Sequence, residues 1–137
     1  MKNNLIGGLE DRQVKFLGST HEGKKHDKKV CDDEGTRFPD GVEVFRDSGF
    51  QGHEVPNATV HQPKKKPRNG RLSDEDKEAN RLISSLRVVI EHIISGIKRC
   101  RIVKDVFRNT KEGYDDVVME LACSLHNYRS HCRNQIY

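Results

Sequence analysis

The most regular hydrophobic pattern in the chain begins after residue 73. Apolar residues recur there at intervals of three and four, at Ile83, Leu86, Ile90, Ile93 and Ile97. This spacing is that of one buried face of an α-helix, and Val89 and Ile94 widen it. Ser73 precedes Asp76 by three residues, an arrangement typical of a helix N-terminus. The pattern therefore predicts a long helix that begins at residue 73.

A second helix is predicted over residues 115–129, with one apolar side formed by Val118, Leu121, Ala122 and Leu125. Within the first of these helices, Gly96 lowers helix stability by about 1 kcal/mol relative to alanine. We therefore expect a helix break or a close backbone contact at Gly96.

Residues 1–62 have the pattern of a strand-rich region. Short apolar or alternating runs at 13–17, 42–45 and 58–60 are separated by glycine, proline, aspartate and asparagine, which predicts short strands joined by loops. The very polar stretch 22–34 is compatible with either a short helix or a solvated loop.

A charged linker separates these regions. Residues 63–72 contain two prolines and a glycine, which disfavour regular structure, together with the cations Lys64, Lys65, Lys66 and Arg68. We thus expect one domain over residues 1–137, composed of a strand-rich part (1–62), a basic linker (63–72) and a helical part (73–137).

Composition restricts the class of protein. The 137 residues are 34% charged and 33% hydrophobic with no tryptophan, which favours one domain with a modest core. The sequence has no apolar run long enough to span a bilayer, and its first ten residues do not resemble an export signal. A soluble, cytoplasmic protein without a membrane partner is expected.

The positive charge is unevenly distributed. The segment 61–111 holds 14 Lys/Arg against 6 Asp/Glu, or +8, whereas the remaining residues hold 11 against 15, or −4. A cationic segment of this kind favours a polyanionic partner, above all nucleic acid.

The four cysteines are expected to be reduced thiols in a protein that is not exported. The set Cys123, His126, His131 and Cys132 has the residue types of a zinc site. Because His131 and Cys132 are adjacent and point in different directions from a helix, the spacing favours small apolar cysteines beside surface histidines instead.

The first candidate for chemistry is Asp47, which follows the apolar run 42–45 and precedes a turn containing Gly49 and Gly52. A carboxylate in this position can be presented at the carboxyl edge of a sheet. The same pattern also fits an aspartate that merely caps the turn.

The second candidate is a group on the long predicted helix. Arg87, Glu91 and Lys98 are spaced by four and seven residues, which places them on one face. An exposed, salt-bridged face explains this spacing. Because Glu91 lies among apolar residues in the sequence, however, we expect it to be partly buried, and a buried carboxylate needs a partner or a metal.

Together, Asp47 and Glu91 beside a basic linker suggest hard-cation chemistry on phosphodiesters. Mg²⁺ is commonly held by carboxylates, water and substrate phosphate oxygens. Two carboxylates are too few for two metal ions, so a third acid is expected.

At this point the chain resembles the DDE-class insertion-sequence transposases, whose catalytic domain is ribonuclease H-like. The matching segments run through nearly the whole chain, at 23–29, 47–52, 62–67, Asp76–Lys77, Asn80–Arg81, 85–101 and 125–129. The spacing Arg-x3-Glu-x6-Lys, here Arg87, Glu91 and Lys98, is a hallmark of the family.

The resemblance implies that Asp47 and Glu91 are two of three catalytic carboxylates, which bind two divalent ions, Mg²⁺ or Mn²⁺. Such enzymes cut DNA at the element's ends and join it to a target by two-metal hydrolysis and transesterification. Arg87 and Lys98 match cations that contact DNA near the cut. The basic linker is expected to contact the phosphate backbone of the DNA.

The first aspartate of the family lies on a strand upstream of the segment that matches residues 2–6. The expected fold is therefore α/β, an incomplete ribonuclease H-like fold whose mixed sheet lacks its first strand, followed by long C-terminal helices. We expect marginal folding and no independent strand transfer. Candidate partners are DNA, the upstream-encoded half of the transposase and a second copy of the chain.

An alternative from a different class is a non-catalytic, basic nucleic-acid-binding remnant. Residues 63–68 also resemble a nuclear-import signal, which a regulator derived from a transposase in a eukaryote would use, and the protein would then be nuclear.

Overall fold

The computed structural model describes residues 2–21 and 23–135. In chain order the elements are β1 (Leu5–Gly7), β2 (Val14–Leu17), α1 (Asp27–Glu34), β3 (Val42–Phe45), a 3-10 turn (Ser48–Phe50), β4 (Ala58–His61), α2 (Asp74–Ile97), α3 (Arg101–Lys104) and α4 (Tyr114–Gln135). The chain forms two compact units, a hairpin unit from residues 1–25 and 89–137 and a parallel unit from residues 26–88.

The hairpin unit contains the antiparallel pair β1–β2, in which Leu5 is opposite Leu17. Its core is apolar and consists of Ile93, Ile97, Ala122 and Cys123. Leu5 and Val14 of the hairpin pack against this core, as does Met119 of α4. The last turns of α2, the hairpin and one side of α4 thus share one small hydrophobic centre.

An asparagine side chain joins the hairpin to α4. The Asn127 amide oxygen accepts the backbone N–H of Val14 at 2.7 Å, and the amide nitrogen donates to the Val14 carbonyl at 2.9 Å. The side chain therefore satisfies both backbone groups of one strand residue, as a neighbouring strand would.

The contact expected at Gly96 is present. A Cβ built on Gly96 would lie 2.2 Å from Nδ1 of His126, so only glycine fits beside this ring. Arg129 donates to the Gly96 carbonyl at 2.8 Å, and α2 ends one residue later, at Ile97. A close approach of α4 to α2 explains the glycine.

The parallel unit contains the parallel pair β3–β4, with Phe45 opposite His61 and their rings stacked at 4.7 Å between centroids. Helix α1 supplies the buried Val30 and ends at Gly35, which adopts the left-handed conformation with φ 55°. The first part of α2 completes the unit, and its start is capped because Ser73 Oγ accepts the Asp76 N–H at 3.1 Å.

The predicted strands and the long helix are confirmed within one residue, and the polar stretch after residue 22 contains a helix, α1. The fold class is confirmed at the level of a mixed α/β chain with small sheets and long C-terminal helices. None of the helices in the described part of the chain combines the length and hydropathy needed to cross a bilayer.

The predicted apolar side of the last helix is wrong in part. Val118 and Ala122 are buried, but Leu121 and Leu125 are exposed. Cys123, His126 and Ser130 take the remaining buried positions. The reason is that His126 has a hydrogen-bond partner, the Arg12 carbonyl at 2.9 Å, which makes a polar side chain acceptable in the interior.

Candidate active site

Asp47 lies two residues beyond the end of β3, at the carboxyl end of the parallel pair. Its Oδ1 accepts the backbone N–H of Ser48 at 2.7 Å, which caps the 3-10 turn Ser48–Phe50. Asp47 therefore caps the turn, as one of its two interpretations predicts, and it lies at the strand end that the other requires. The cap engages Oδ1 of Asp47, so Oδ2 is available for a different contact.

Arg87 of α2 is the neighbour of that second oxygen. Arg87 Nη1 lies 3.3 Å from Asp47 Oδ2. The two side chains are 58% and 46% exposed, respectively, so the pair is open to solvent and to an incoming ligand. The structure thus brings together two of the predicted site residues, one from a strand end and one from a helix turn.

The turn after Asp47 packs against α1. A Cβ built on Gly49 would lie 3.4 Å from Asp27 Oδ2, and one built on Gly52 would lie 3.3 Å from Lys28 Nζ. Gly52 also has a φ of 81°, which other residues rarely adopt. The glycines therefore allow α1 to approach the turn that carries Asp47.

Glu91 follows Arg87 by one turn of α2 and is exposed. The expectation that Glu91 is partly buried is wrong. Val89, Ile90 and Ile93 face the core of the hairpin unit, whereas Glu91 is rotated by about 100° from Ile90 around the helix axis. Lys98 is exposed and lies just beyond α2, although its backbone N–H still donates to the Ile94 carbonyl at 2.9 Å.

The basic linker is attached to α2 by a second asparagine. Asn80 accepts the Lys64 N–H at 2.9 Å and donates to the Lys64 carbonyl at 3.0 Å. Lys64 Nζ also contacts Asp76 at 2.6 Å, and this contact lowers the pKa of the Asp76 carboxyl and raises the pKa of Lys64. One linker residue is therefore held in place.

The other linker cations remain accessible. Lys65, Lys66 and Arg68 are exposed. Lys64 is attached to α2 through both its backbone and its side chain. The cations that follow it in the linker therefore begin next to α2. Exposed lysine and arginine at this density suit contact with a phosphate backbone.

The carboxylates of the described residues do not by themselves fit a divalent ion. Asp47 uses one oxygen on the Ser48 N–H, and its other oxygen faces the Arg87 guanidinium. Across residues 2–21 and 23–135, no group of three His, Cys, Asp or Glu side chains is arranged to hold a metal. A metal at Asp47 would require Arg87 to move and further donors to be supplied.

The cysteine and histidine set near the C-terminus is divided between interior and surface. Cys123 and His126 are buried, whereas His131 is exposed. His126 is hydrogen-bonded to the Arg12 carbonyl, and burial raises the pKa of the Cys123 thiol to about 11. These residues serve the core of the hairpin unit.

Comparison with known protein families identifies the family of this chain. A sequence model of the family described as DDE superfamily endonuclease matches residues 3–127. This chain belongs to the DDE superfamily endonucleases. The matched range includes Asp47, Arg87, Glu91 and Lys98, and the resemblance to insertion-sequence transposases is confirmed.

One relative of this chain is a probable transposase for insertion sequence element IS702 from Microchaete diplosiphon. The two proteins are 29% identical over 128 residues, which is 93% of this chain and 46% of the relative. The chain therefore spans less than half the length of the curated relative that it matches. No solved structure matches it significantly. Nucleases of this superfamily generally depend on divalent metal.

Sequence reasoning missed two asparagines that hold segments of this chain in place. Asn80 and Asn127 each bond to both backbone groups of a distant residue, Lys64 and Val14. Both asparagines lie within the segments that carry the family resemblance. The sequence did hold one clue to this role. Each asparagine lies in a family motif and outside a predicted turn, and an asparagine amide can both donate and accept a hydrogen bond.

Proposed function

We propose that this chain is the part of a DDE transposase catalytic domain that carries the second aspartate and the glutamate. In the complete enzyme, Asp47 and Glu91 are two of the catalytic carboxylates, and the reaction cuts and joins DNA. The single observation that carries this proposal is the ion pair of Asp47 with Arg87, which joins two separate family motifs at one solvent-open place.

The number of carboxylates determines what else the site needs. Asp47 and Glu91 together provide too few ligands for two Mg²⁺ or Mn²⁺ ions, and Asp47 is engaged by Arg87. We propose that a third carboxylate is supplied by the upstream-encoded half of the transposase. The complete set would then bind the divalent ions on which this superfamily generally depends.

The fold proposal follows the same reasoning. In the described residues each sheet has only two strands, so their outer edges can pair with further strands, except at Val14 of β2, whose N–H and carbonyl bond to Asn127. We propose that both pairs belong to one ribonuclease H-like sheet, and that an additional strand bearing the first aspartate completes it. A two-stranded sheet alone is only marginally stable, which supports this proposal.

DNA is the proposed substrate and partner, and two groups of cations would contact different parts of it. Lys64, Lys65, Lys66 and Arg68 would contact the phosphate backbone, while Arg87 and Lys98 would contact DNA near the cut. A phosphate would compete with Asp47 for the Arg87 guanidinium, because guanidinium binds phosphate well. DNA binding would thus release the Asp47 carboxylate.

The first test of this proposal is DNA binding. Lys65→Gln and Lys66→Gln should each weaken binding to duplex DNA and reduce the slope of log affinity against log salt by about one. Lys24→Gln, a matched exposed lysine outside the linker, should change neither. Equal effects of all three substitutions would contradict the assignment of the linker to DNA.

Catalysis distinguishes the enzyme from a basic protein that only binds DNA. Asp47→Asn and Glu91→Gln should bind DNA as well as the unmodified chain or better, since each removes a negative charge. They should abolish Mg²⁺-dependent cutting by the chain combined with its upstream half. A plain binder would show no cutting in any combination.

The nucleotide sequence upstream of the gene provides an independent check. The proposal predicts a reading frame that encodes an apolar strand bearing an aspartate, preceded by a helical DNA-binding domain. If all three frames lack such a strand, the third carboxylate has no source at this locus and the catalytic proposal fails.

A further inference from the structure

The turn that carries Asp47 is a glycine-containing segment whose two ends are held by other residues. Residues 47–53 form a 3-10 turn and then a second tight turn, in which the His53 N–H donates to the Phe50 carbonyl at 3.2 Å. The segment contains two glycines, which have more backbone freedom to lose on folding than any other residue. A carboxylate in a catalytic site must be held to within about 0.5 Å of its productive position. The contacts at the ends of the turn therefore decide how well Asp47 is placed.

Arg46 connects the two ends of this turn. Its backbone N–H donates to the His61 carbonyl at 3.0 Å, which continues the pairing of β3 with β4 by one residue. Its guanidinium nitrogen Nη2 donates to the His53 carbonyl at 2.8 Å. Since Arg46 directly precedes Asp47, its side chain closes the turn by bonding to the last residue of the turn.

The same guanidinium also holds the end of β4. Its Nε donates to Oε1 of Gln62 at 3.1 Å, and Gln62 is the first residue after β4 and the last before the basic linker. A guanidinium can make both bonds at once because its N–H donors form a planar fork. Arg46 therefore fixes the turn relative to β4 as well as to β3.

The last residue of the turn is bonded on a second side. His53 Nδ1 lies 2.5 Å from Asp32 Oδ1 of α1, and the His53 side chain is only 12% exposed. The carbonyl of His53 is thus held by Arg46 and its ring by α1. The end of the turn is attached to both the sheet and a helix, and Arg46 supplies the attachment to the sheet.

Arg46 and Arg87 have different relationships to Asp47. Side chains alternate between the two faces of an extended chain, so Arg46 and Asp47 point to opposite faces of the β3–β4 pair. Arg46 is partly buried, whereas Arg87 is exposed and lies against the Asp47 carboxylate. A ligand that approaches Asp47 therefore meets Arg87 and not Arg46.

We propose that Arg46 is a positioning residue for Asp47, because its guanidinium closes residues 47–53 into a fixed turn and aligns that turn with β4. Loss of the guanidinium would deprive the His53 carbonyl and the Gln62 amide oxygen of this donor, and the turn would open more often. The closure of the turn stands on the contacts of Arg46 alone. Its importance for cutting DNA rests on the proposed function.

Amide hydrogen exchange of the full chain tests the closure of the turn. Arg46→Met keeps the length of the side chain and removes its donors. The amides of Phe50, Gln51 and His53 should then exchange on the order of 10-fold to 100-fold faster, because the lost bonds come from a charged donor. The amides of β3 and β4 should keep their protection. Faster exchange throughout the parallel unit would show a general structural role and would overturn the proposal.

Three further variants complete this experiment. Arg37→Met, at an exposed arginine of the same unit, and Arg87→Gln should both leave exchange in the turn unchanged. Arg46→Lys should give an intermediate rate, because one ammonium does not reproduce the planar fork of a guanidinium. Equal exchange in Arg46→Met and Arg37→Met would overturn the proposal. If Arg46→Met does not fold, unchanged exchange in Arg46→Lys would overturn it instead.

Cutting of DNA separates this proposal from the proposed function. In the chain combined with its upstream half, Arg46→Met should lower the maximal cutting rate by about 10-fold to 100-fold and leave the affinity for DNA unchanged. Lys65→Gln should do the reverse, with weaker binding and the maximal rate retained. If the unmodified combination does not cut, the proposed function fails, and the exchange rates still decide whether Arg46 fixes the turn. If it cuts and Arg46→Met cuts at the same maximal rate, the positioning role of Arg46 fails alone.

Discussion

The guanidinium of Arg87 lies 3.3 Å from the carboxylate of Asp47 and connects a turn of α2 to the end of β3. The pair is exposed, and exposed ion pairs contribute only about 0–1 kcal/mol to stability. The pair is therefore better suited to a ligand-responsive role than to holding the fold together. A phosphate or a metal can compete for either partner at little cost in stability.

The first prediction concerns the stability of this pair. Arg87→Gln should lower the free energy of unfolding by less than about 1 kcal/mol, because both side chains remain hydrated when separated. Urea unfolding of Arg87→Gln, Asp47→Asn and the double variant measures the coupling between them. A coupling above about 2 kcal/mol would identify the pair as a structural element instead.

The second prediction concerns the amide that links α4 to β2. Asn127→Ala should lower the free energy of unfolding by about 1–3 kcal/mol, since it leaves the N–H and carbonyl of Val14 without their partners. Asn134→Ala, on the same helix but exposed, should change it by less than about 0.5 kcal/mol. Similar values for both variants would show that the Val14 contact is dispensable.

The third prediction concerns Gly96. Alanine favours helix by about 1 kcal/mol over glycine, yet its Cβ would lie 2.2 Å from the His126 ring. Overpacking costs about 1–3 kcal/mol, so Gly96→Ala should destabilise the chain in urea unfolding. Ser95→Ala, an exposed neighbour on α2, is the control and should be neutral. Stabilisation by Gly96→Ala would refute the close contact.

The fourth prediction concerns pH. Burial raises the pKa of Cys123 to about 11, above its ordinary value of 9.0. The folded chain therefore retains this proton where the unfolded chain loses it, and stability that is complete below pH 9 falls as the pH rises toward 11. Cys123→Ala should lose this component of the pH dependence, whereas Cys132→Ala should retain it. Equal pH profiles for all three chains would contradict the assignment.

The sequence was sufficient to predict α2 because its hydrophobic period persists over five positions, and Ile93 and Ile97 are indeed buried. The burial of Glu91 was predicted wrongly because adjacency in the sequence was taken as adjacency in space. In a helix, the neighbours of Glu91 along the chain face other directions. The angular position of Glu91 around the axis of α2 would have predicted its exposure better.

The buried side of α4 could not be predicted from periodicity. The exposed side of α4, with Val117, Leu121 and Leu125, is more hydrophobic than the buried side, which includes His126 and Ser130. His126 is accommodated by the carbonyl of Arg12, a partner more than a hundred residues away in the chain. Such a partner is set by tertiary packing, and no local pattern reveals it. The pairing of Asp47 with Arg87 is long-range in the same sense.

We propose that Asp47 and Glu91 are catalytic carboxylates of a transposase that an upstream polypeptide completes. The most direct measurement is Mg²⁺-dependent cleavage of a plasmid that carries the gene's own chromosomal surroundings, by the chain combined with that polypeptide. Glu91→Gln should lower the cleavage rate by at least about 100-fold, since catalytic groups act as a unit. Glu78→Gln, an exposed glutamate on the same helix, should cleave like the unmodified chain. Equal rates for Glu91→Gln and Glu78→Gln would contradict the claim.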